Sequence, residues 1–453
     1  ANLDIARQAI EGDIAFARYG VTGKGVVVAL VDSGLAPNAA VPEDHVLARV
    51  DLVDPRGRAG DGFGHGTHIA GIIGAANGIA PDTRFVVVRA LGDHGEGNLS
   101  SVLQAIDWVI GHRTEYGIKV LNLSLGYAPQ MSFRYDPINI AVRRAWSAGL
   151  TVVASAGNRG RDGMMTINAP GNDPLVVTAG ATNDFNTAAR ADDAVTTYSG
   201  RGPSAGDLVV KPDLVAPGNK IKGALAPGCT LAVEHPDKVV DGKLVLSGTS
   251  MAAGMVSGAA ALLLERHPGL SNDAIKAILM KSAEKLPGVD VFARGAGSMD
   301  VLSALELSDS LAIPKHFNSS SPLVARAPQG VMLYLLTPPS GRPFLLTGFD
   351  KTYGAHAVFG DAAFWHDASR WGKTAAYADG ILWADGVLGG DGILWADGRL
   401  TGDGILWADG SAAGDGILWA DAKLKGDGIL WADGRVKGDG IIWADARLKG
   451  DGI

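Results

Sequence analysis

Residues 26–34 read Val26-Val27-Val28-Ala29-Leu30-Val31-Asp32-Ser33-Gly34, six apolar side chains in a row running into an aspartate and a glycine. A strand with one wet face alternates apolar and polar residues, so an unbroken apolar run predicts a strand covered on both faces, as in a parallel sheet. The run also places a carboxylate at the carboxyl end of that strand, where open α/β sheets hold their sites. Similar runs follow at 85–88, 120–125, 150–154 and 175–179, with helical stretches between them at 67–76, 99–110 and 138–147. Two further helices are predicted at 249–266 and 272–283. Strand and helix in alternation imply an α/β fold over residues 1–308, a mostly parallel twisted sheet with right-handed crossovers and helices on both faces.

Composition narrows the function. The 453 residues carry 48 acidic and 40 basic side chains, a net charge of −8, with no basic run of five or more. That balance argues against a nucleic acid or an anionic membrane as partner. With 47% apolar and 19% charged residues the chain can bury a large core. Its longest apolar stretches fall far short of the ~18 to 20 residues that cross a bilayer. The single cysteine, Cys229, excludes an internal disulfide and a multi-thiolate metal site, and reads as a small buried hydrophobe. The chain opens at Ala1 without a methionine or a signal-like segment, as expected once a targeting or pro-segment has been removed.

Past residue 308 the character changes. Residues 309–378 carry prolines and scattered aromatics, with strand candidates at 331–336 and 343–346, and read as a linker or small β-rich module. Residues 379–453 repeat: the unit GDGILWADG returns every twelve residues, with Trp383, Trp395, Trp407, Trp419, Trp431 and Trp443 in register, and aspartate recurs every six from Asp379 to Asp451. Such a period marks an array in which each unit buries its apolar face against its neighbours. Two geometries fit: an antiparallel meander turning at Asp-Gly steps, or a flattened two-sided coil of twelve residues per turn. The aspartates are expected to form turns rather than bind calcium. The tryptophans read as the core of the stack, the alternative being a face for a surface or matrix ligand. The last copy stops in mid-unit, which reads as truncation.

Three segments carry chemistry. Val31-Asp32-Ser33-Gly34 ends a strand; Gly64-His65-Gly66-Thr67-His68-Ile69-Ala70-Gly71 begins a glycine-rich helix; Gly248-Thr249-Ser250-Met251-Ala252 begins an apolar one, whose amides favour negative charge nearby. An acid, a base and a nucleophile follow in that order. A serine hydroxyl attacks only when an imidazole takes its proton, and the imidazole needs a carboxylate to fix its tautomer. Ser155-Ala156-Gly157-Asn158 adds a side-chain amide able to donate to an oxyanion beside the Ser250 backbone amide. His68, one turn beyond His65, reads as a packed structural residue.

With Lys211-Pro212-Asp213-Leu214-Val215-Ala216-Pro217-Gly218 in its place between them, the chain resembles the subtilisin family of serine proteases over residues 1–308. The resemblance implies a three-layer subtilisin-like fold and a secreted endopeptidase that cleaves protein or peptide substrates without a cofactor for the chemistry. It makes His65 the general base, Asp32 its orienting partner, Ser250 the nucleophile and Asn158 the oxyanion donor. Substrate would add as a strand between Gly95-Glu96-Gly97 and Ser124-Leu125-Gly126, with Leu99 lining a distant pocket. The pocket for the residue before the scissile bond would lie against Ser155, Ala156 and Gly157, with Asn168 at its base and Arg159 at its rim, which suits acidic or polar side chains. Two departures stand out. Gly254 occupies the position four residues after the serine where the family carries proline. The connection at 74–81 lacks the insertion that holds calcium in many members, so structural calcium, if used, must be bound elsewhere.

Overall fold

The computed structural model describes residues 3–37, 39–54, 60–284, 286, 289–310 and 319–321, and beyond them the backbone of strands between residues 323 and 449. The chain divides into two compact units, one of 1–206, 211–284 and 293–312, the other of 207–210, 285–292 and 313–453.

The first unit is built on an eight-stranded sheet. Its strands are β1 (Val27–Asp32), β2 (Val46–Asp51), β3 (Arg84–Arg89), β4 (Ile118–Leu123), β5 (Thr151–Ser155), β6 (Val177–Asn183), β7 (Ala194–Val195) and β8 (Leu214–Pro217). The order is β2-β3-β1-β4-β5-β6-β7, with β8 also on β6, and every pairing is parallel except β6 with β7. All five expected runs are strands, and β1 is buried along its whole length. β2 was not expected: an edge strand, its residues are all half-buried, which leaves no continuous apolar run to read.

Ten helices are described, of which the site uses α3 (His65–Gly74), α4 (Leu99–Tyr116), α5 (Pro137–Ser147) and α7 (Thr249–Arg266); α1 (Leu3–Ala9), α2 (Gly12–Tyr19) and α6 (Thr230–Glu234) fall between or before them, and α8 (Asn272–Lys281) follows. α7 lies against β4, β5 and β6 and packs on α3, while α4 and α5 pack together over β1, β4 and β5. α5 starts as caps dictate, Asp136 accepting the Ile138 amide at 3.1 Å with Pro137 in the first turn. α4 runs six residues past its expected end at 110, through Gly111, because the rings of Trp108, His112 and Tyr116 stack along one face, and it stops at Gly117, which is left-handed. A small antiparallel sheet, β9 (Ile221–Gly223), β10 (Val239–Val240) and β11 (Lys243–Leu246), completes the unit.

In the second unit, three antiparallel strands, Leu323–Arg326, Leu333–Leu336 and Phe344–Leu346, precede two parallel sheets in which each strand pairs with the one twelve residues further on, Trp383 beside Trp395 and so to Trp443. The hexad aspartates and the tryptophan side chains lie outside the described residues.

Candidate active site

The carboxyl ends of the sheet strands gather the pieces. Asp32 ends β1, Ser124 follows β4 directly, and Asn158 lies three residues past β5. His65 is the first residue of α3 and Ser250 the second of α7. α3 is brought up to β1 by backbone contact: a Cβ on Gly66 would stand 2.1 Å from the Gly34 carbonyl oxygen, so only glycine permits the approach. Gly254 lies between α3 and α7 under a lighter constraint, since a Cβ there would meet only side chains, Ile72 at 3.2 Å and Ile69 at 3.5 Å. The proline departure thus falls at a helix contact.

His65 Nδ1 and Asp32 Oδ1 are 2.8 Å apart. The same oxygen accepts the Ser33 amide at 2.8 Å, and Asp32 is fully buried. Burial disfavours the imidazolium, but the charge and hydrogen bond of Asp32, with a smaller contribution from Asp61, outweigh it and hold the His65 pKa above 6.5. The Ser250 hydroxyl donates to the Ser124 carbonyl at 3.1 Å and makes no hydrogen bond to His65. The Ser250 carbonyl in turn accepts from Ser124 Oγ at 3.0 Å, the near end of a buried chain running through Asn122 to Ser257. Asn158 Oδ1 accepts both the amide and the hydroxyl of Thr249, at 2.9 and 3.2 Å, which commits its oxygen and leaves its Nδ2 as a donor beside the start of α7. The Thr249 hydroxyl also accepts the Gly157 amide at 3.0 Å.

Beside this cluster lies a cavity of about 390 Å3 bounded by His65, Gly95, Gly97, Leu99, Ser124, Leu125 and Gly126, and also by Phe63, Leu91, Val102, Tyr127 and Ile138, which the sequence reading did not name. Glu96 turns away, its carboxylate accepting the His94 amide at 3.1 Å. Ser155 and Ala156 are buried, and Asn168, whose backbone N–H donates to the Ala156 carbonyl at 2.9 Å, lays its side-chain amide on Gly157: a Cβ there would be 2.7 to 3.0 Å from those side-chain atoms. A Cβ on Gly126 would be 3.4 Å from Asn168 Cβ, so this asparagine touches both walls. Arg159 is exposed. Cys229 is buried against Gly64 and packs with Ala36 and Ala226.

Asp61, three residues ahead of the Gly64–Gly71 motif, was not singled out from the sequence. Its carboxylate accepts the Gly64 and Thr67 amides, each at 2.7 Å, and the Ser33 hydroxyl at 2.8 Å. It therefore caps α3 from outside and ties that helix to the strand carrying Asp32. An acidic residue just ahead of a helix start was the signal available.

His68 is structural, as expected. Fully buried, its Nε2–H lies 3.1 Å from both the Ile221 and the Leu244 carbonyls, joining β9 to β11. Burial above all pulls its pKa down to about 4. Because the unfolded chain takes up this proton near 6.5 and the folded chain only near 4, stability is lost as pH falls through that window, by about 3 kcal/mol at its foot. Urea unfolding between pH 7 and 4 checks this; His68→Gln should remove that share of the slope, and an unchanged slope would refute it.

The chain matches the subtilase family over residues 23–298. It is 35% identical to the serine protease AprX of Bacillus subtilis over 297 residues, which cover 62% of this chain and 66% of AprX, just under two thirds. It is 33% identical to subtilisin Savinase of Lederbergia lenta over 282 residues, 61% of this chain and 90% of that protein. A cold adapted subtilisin-like serine proteinase of known crystal structure is 28% identical, covering 62% of this chain and 88% of that one with a TM-score of 0.48. The chain belongs to the subtilase family.

Proposed function

We propose that the protein is a secreted endopeptidase that cleaves peptide bonds through an acyl-enzyme on Ser250. The observation that carries this reading is the 2.8 Å contact of His65 Nδ1 with the buried Asp32, set beside a serine at a helix start. The carboxylate fixes the proton on Nδ1 and so leaves Nε2 as the base. Substrate binding turns the Ser250 hydroxyl from the Ser124 carbonyl to that nitrogen. Oγ attacks the scissile carbonyl as its proton passes to His65, and the charge on the carbonyl oxygen is met by Asn158 Nδ2 and the Ser250 amide. His65 gives the proton to the leaving amine, and water repeats the sequence on the ester. A fluorophosphonate probe tests this: it should label the chain at one serine and leave Ser250→Ala unlabelled, whereas equal labelling of both, or of neither, overturns it.

Substrate lies as an added strand between Gly95–Gly97 and Ser124–Gly126, its backbone pairing with both edges. Leu91, Leu99, Val102 and Ile138 make the farther end of the groove apolar. For the residue before the scissile bond, the exposed Arg159 and the Asn168 amide favour acidic or polar side chains. Cleavage of a peptide library should show Glu, Asp or Gln accepted there; dominance of Lys or Arg would contradict it. Secretion is the expectation for a chain of this kind, and none of the described helices is long and apolar enough to cross a membrane. For the array, the in-register parallel pairing at a twelve-residue offset favours the two-sided coil over the meander, with any surface or matrix ligand bound along its strands.

A further inference from the structure

Ser250 is tied to the sheet by a buried row of hydrogen bonds that no step of the proposed chemistry uses. Ser250 and Ser257 are seven residues apart on α7, two turns, and so share a face of that helix. Asn122, near the end of β4, and Ser124, just past it, are two apart and share a face of the strand. The two pairs meet side chain to side chain. The Ser257 hydroxyl donates to Asn122 Oδ1 at 2.9 Å, Asn122 Nδ2 donates to Ser124 Oγ at 3.0 Å, and the Ser124 hydroxyl donates to the Ser250 carbonyl at 3.0 Å. The Ser250 hydroxyl closes the row on the Ser124 carbonyl at 3.1 Å. Asn122 and Ser257 are fully buried and Ser124 and Ser250 nearly so, which keeps bulk water from competing for these bonds.

The direction of the row is set at Ser257. A serine inside a helix commonly turns its proton to solvent or to the carbonyl one turn back; at 257 the proton crosses to the sheet. It makes Asn122 present its oxygen to α7 and its NH2 group to Ser124, and a hydroxyl that accepts from an amide has its own proton left for the Ser250 carbonyl. Without the Ser257 proton nothing selects that face of the amide. Turned over, Asn122 would take the Ser124 proton on its oxygen, and the Ser250 carbonyl would be released. The Ser124 hydroxyl and carbonyl together hold the start of α7 against the groove edge at 124–126. Slack there falls between the nucleophile and the scissile bond, where small displacements cost rate. Resting on the reading of Ser250 as nucleophile, we propose that Ser257 is a positioning residue for it, acting through Asn122 and Ser124 from two helical turns away.

Turnover of a chromogenic peptide and the rate of fluorophosphonate labelling are measured on the full chain, parent and variants, beside unfolding curves. Ser257→Ala should lower kcat about tenfold and slow labelling in step, with KM little changed. Ser124→Ala should cost a similar factor, and Ser257→Ala added to it almost nothing more, because the link is already broken. A structural role alone would lower the unfolding midpoint and leave kcat where it was. An unchanged kcat in Ser257→Ala, or losses that multiply in the double variant, overturn the proposal. Should Ser257→Ala fail to fold, Ser257→Cys, close in size but a weaker donor, should show the same loss in smaller measure, and a kcat equal to the parent's overturns it. Labelling of the parent at Ser250 reports on the endopeptidase reading and the ratio of variant to parent on this one, so the two fail separately.

Discussion

Ser250→Ala should reduce kcat for peptide hydrolysis by about a million-fold, the size known for loss of the corresponding serine in subtilisin itself, leaving only the modest rate that binding and the oxyanion donors sustain. The reason is that no other described group can take its place: the Ser124 hydroxyl is spent on the Ser250 carbonyl and the Thr249 hydroxyl on Asn158. The fold should survive, since the side chain gives up one hydrogen bond, to the Ser124 carbonyl, worth about 1 kcal/mol. Turnover of a chromogenic peptide under saturating substrate, beside an unfolding curve, makes the check. A loss below a hundred-fold would mean that another nucleophile does the work.

Asp32→Asn should lower kcat by about 10⁴-fold, the size found for the same change in another triad protease. The Ser33 amide donates to Oδ1, so an asparagine oxygen is held at that position and the His65 contact can persist without the charge. What disappears is the stabilisation of the imidazolium formed as Ser250 attacks. The pH profile separates this from a mere disturbance of shape. In the parent, the base works only when unprotonated, and with its pKa held above 6.5 by Asp32 the acid limb of activity should have its midpoint above 6.5. With the charge gone, burial dominates, the His65 pKa falls, and the limb should move to lower pH. A full loss of activity with an unmoved limb would contradict the assignment of Asp32.

The constellation was unusually legible because three of its members belong to short local motifs at the ends of strongly patterned elements. Continuous apolar runs marked the inner strands, and caps or glycines marked the helix starts on which His65 and Ser250 sit. The edge strand β2 escaped for want of such a run, and α4 outran its expected end because ring stacking along one face outweighed a glycine. The groove was half visible. Its near edges follow in sequence from the motifs, but Leu91, Val102, Tyr127 and Ile138 come from four separate segments whose approach no spacing announces.

The sequence alone determined the α/β alternation, the order of acid, base and nucleophile, the amide at Asn158 and the period of the array, because each is a matter of residue type at short range. Only the tertiary structure decided how they are held. Asp61 caps one helix and braces the strand of Asp32, and Thr249 fixes which end of Asn158 is free to donate. These contacts join residues that helical or strand periodicity cannot relate, since a period reports which face of an element is buried and not what is packed against it.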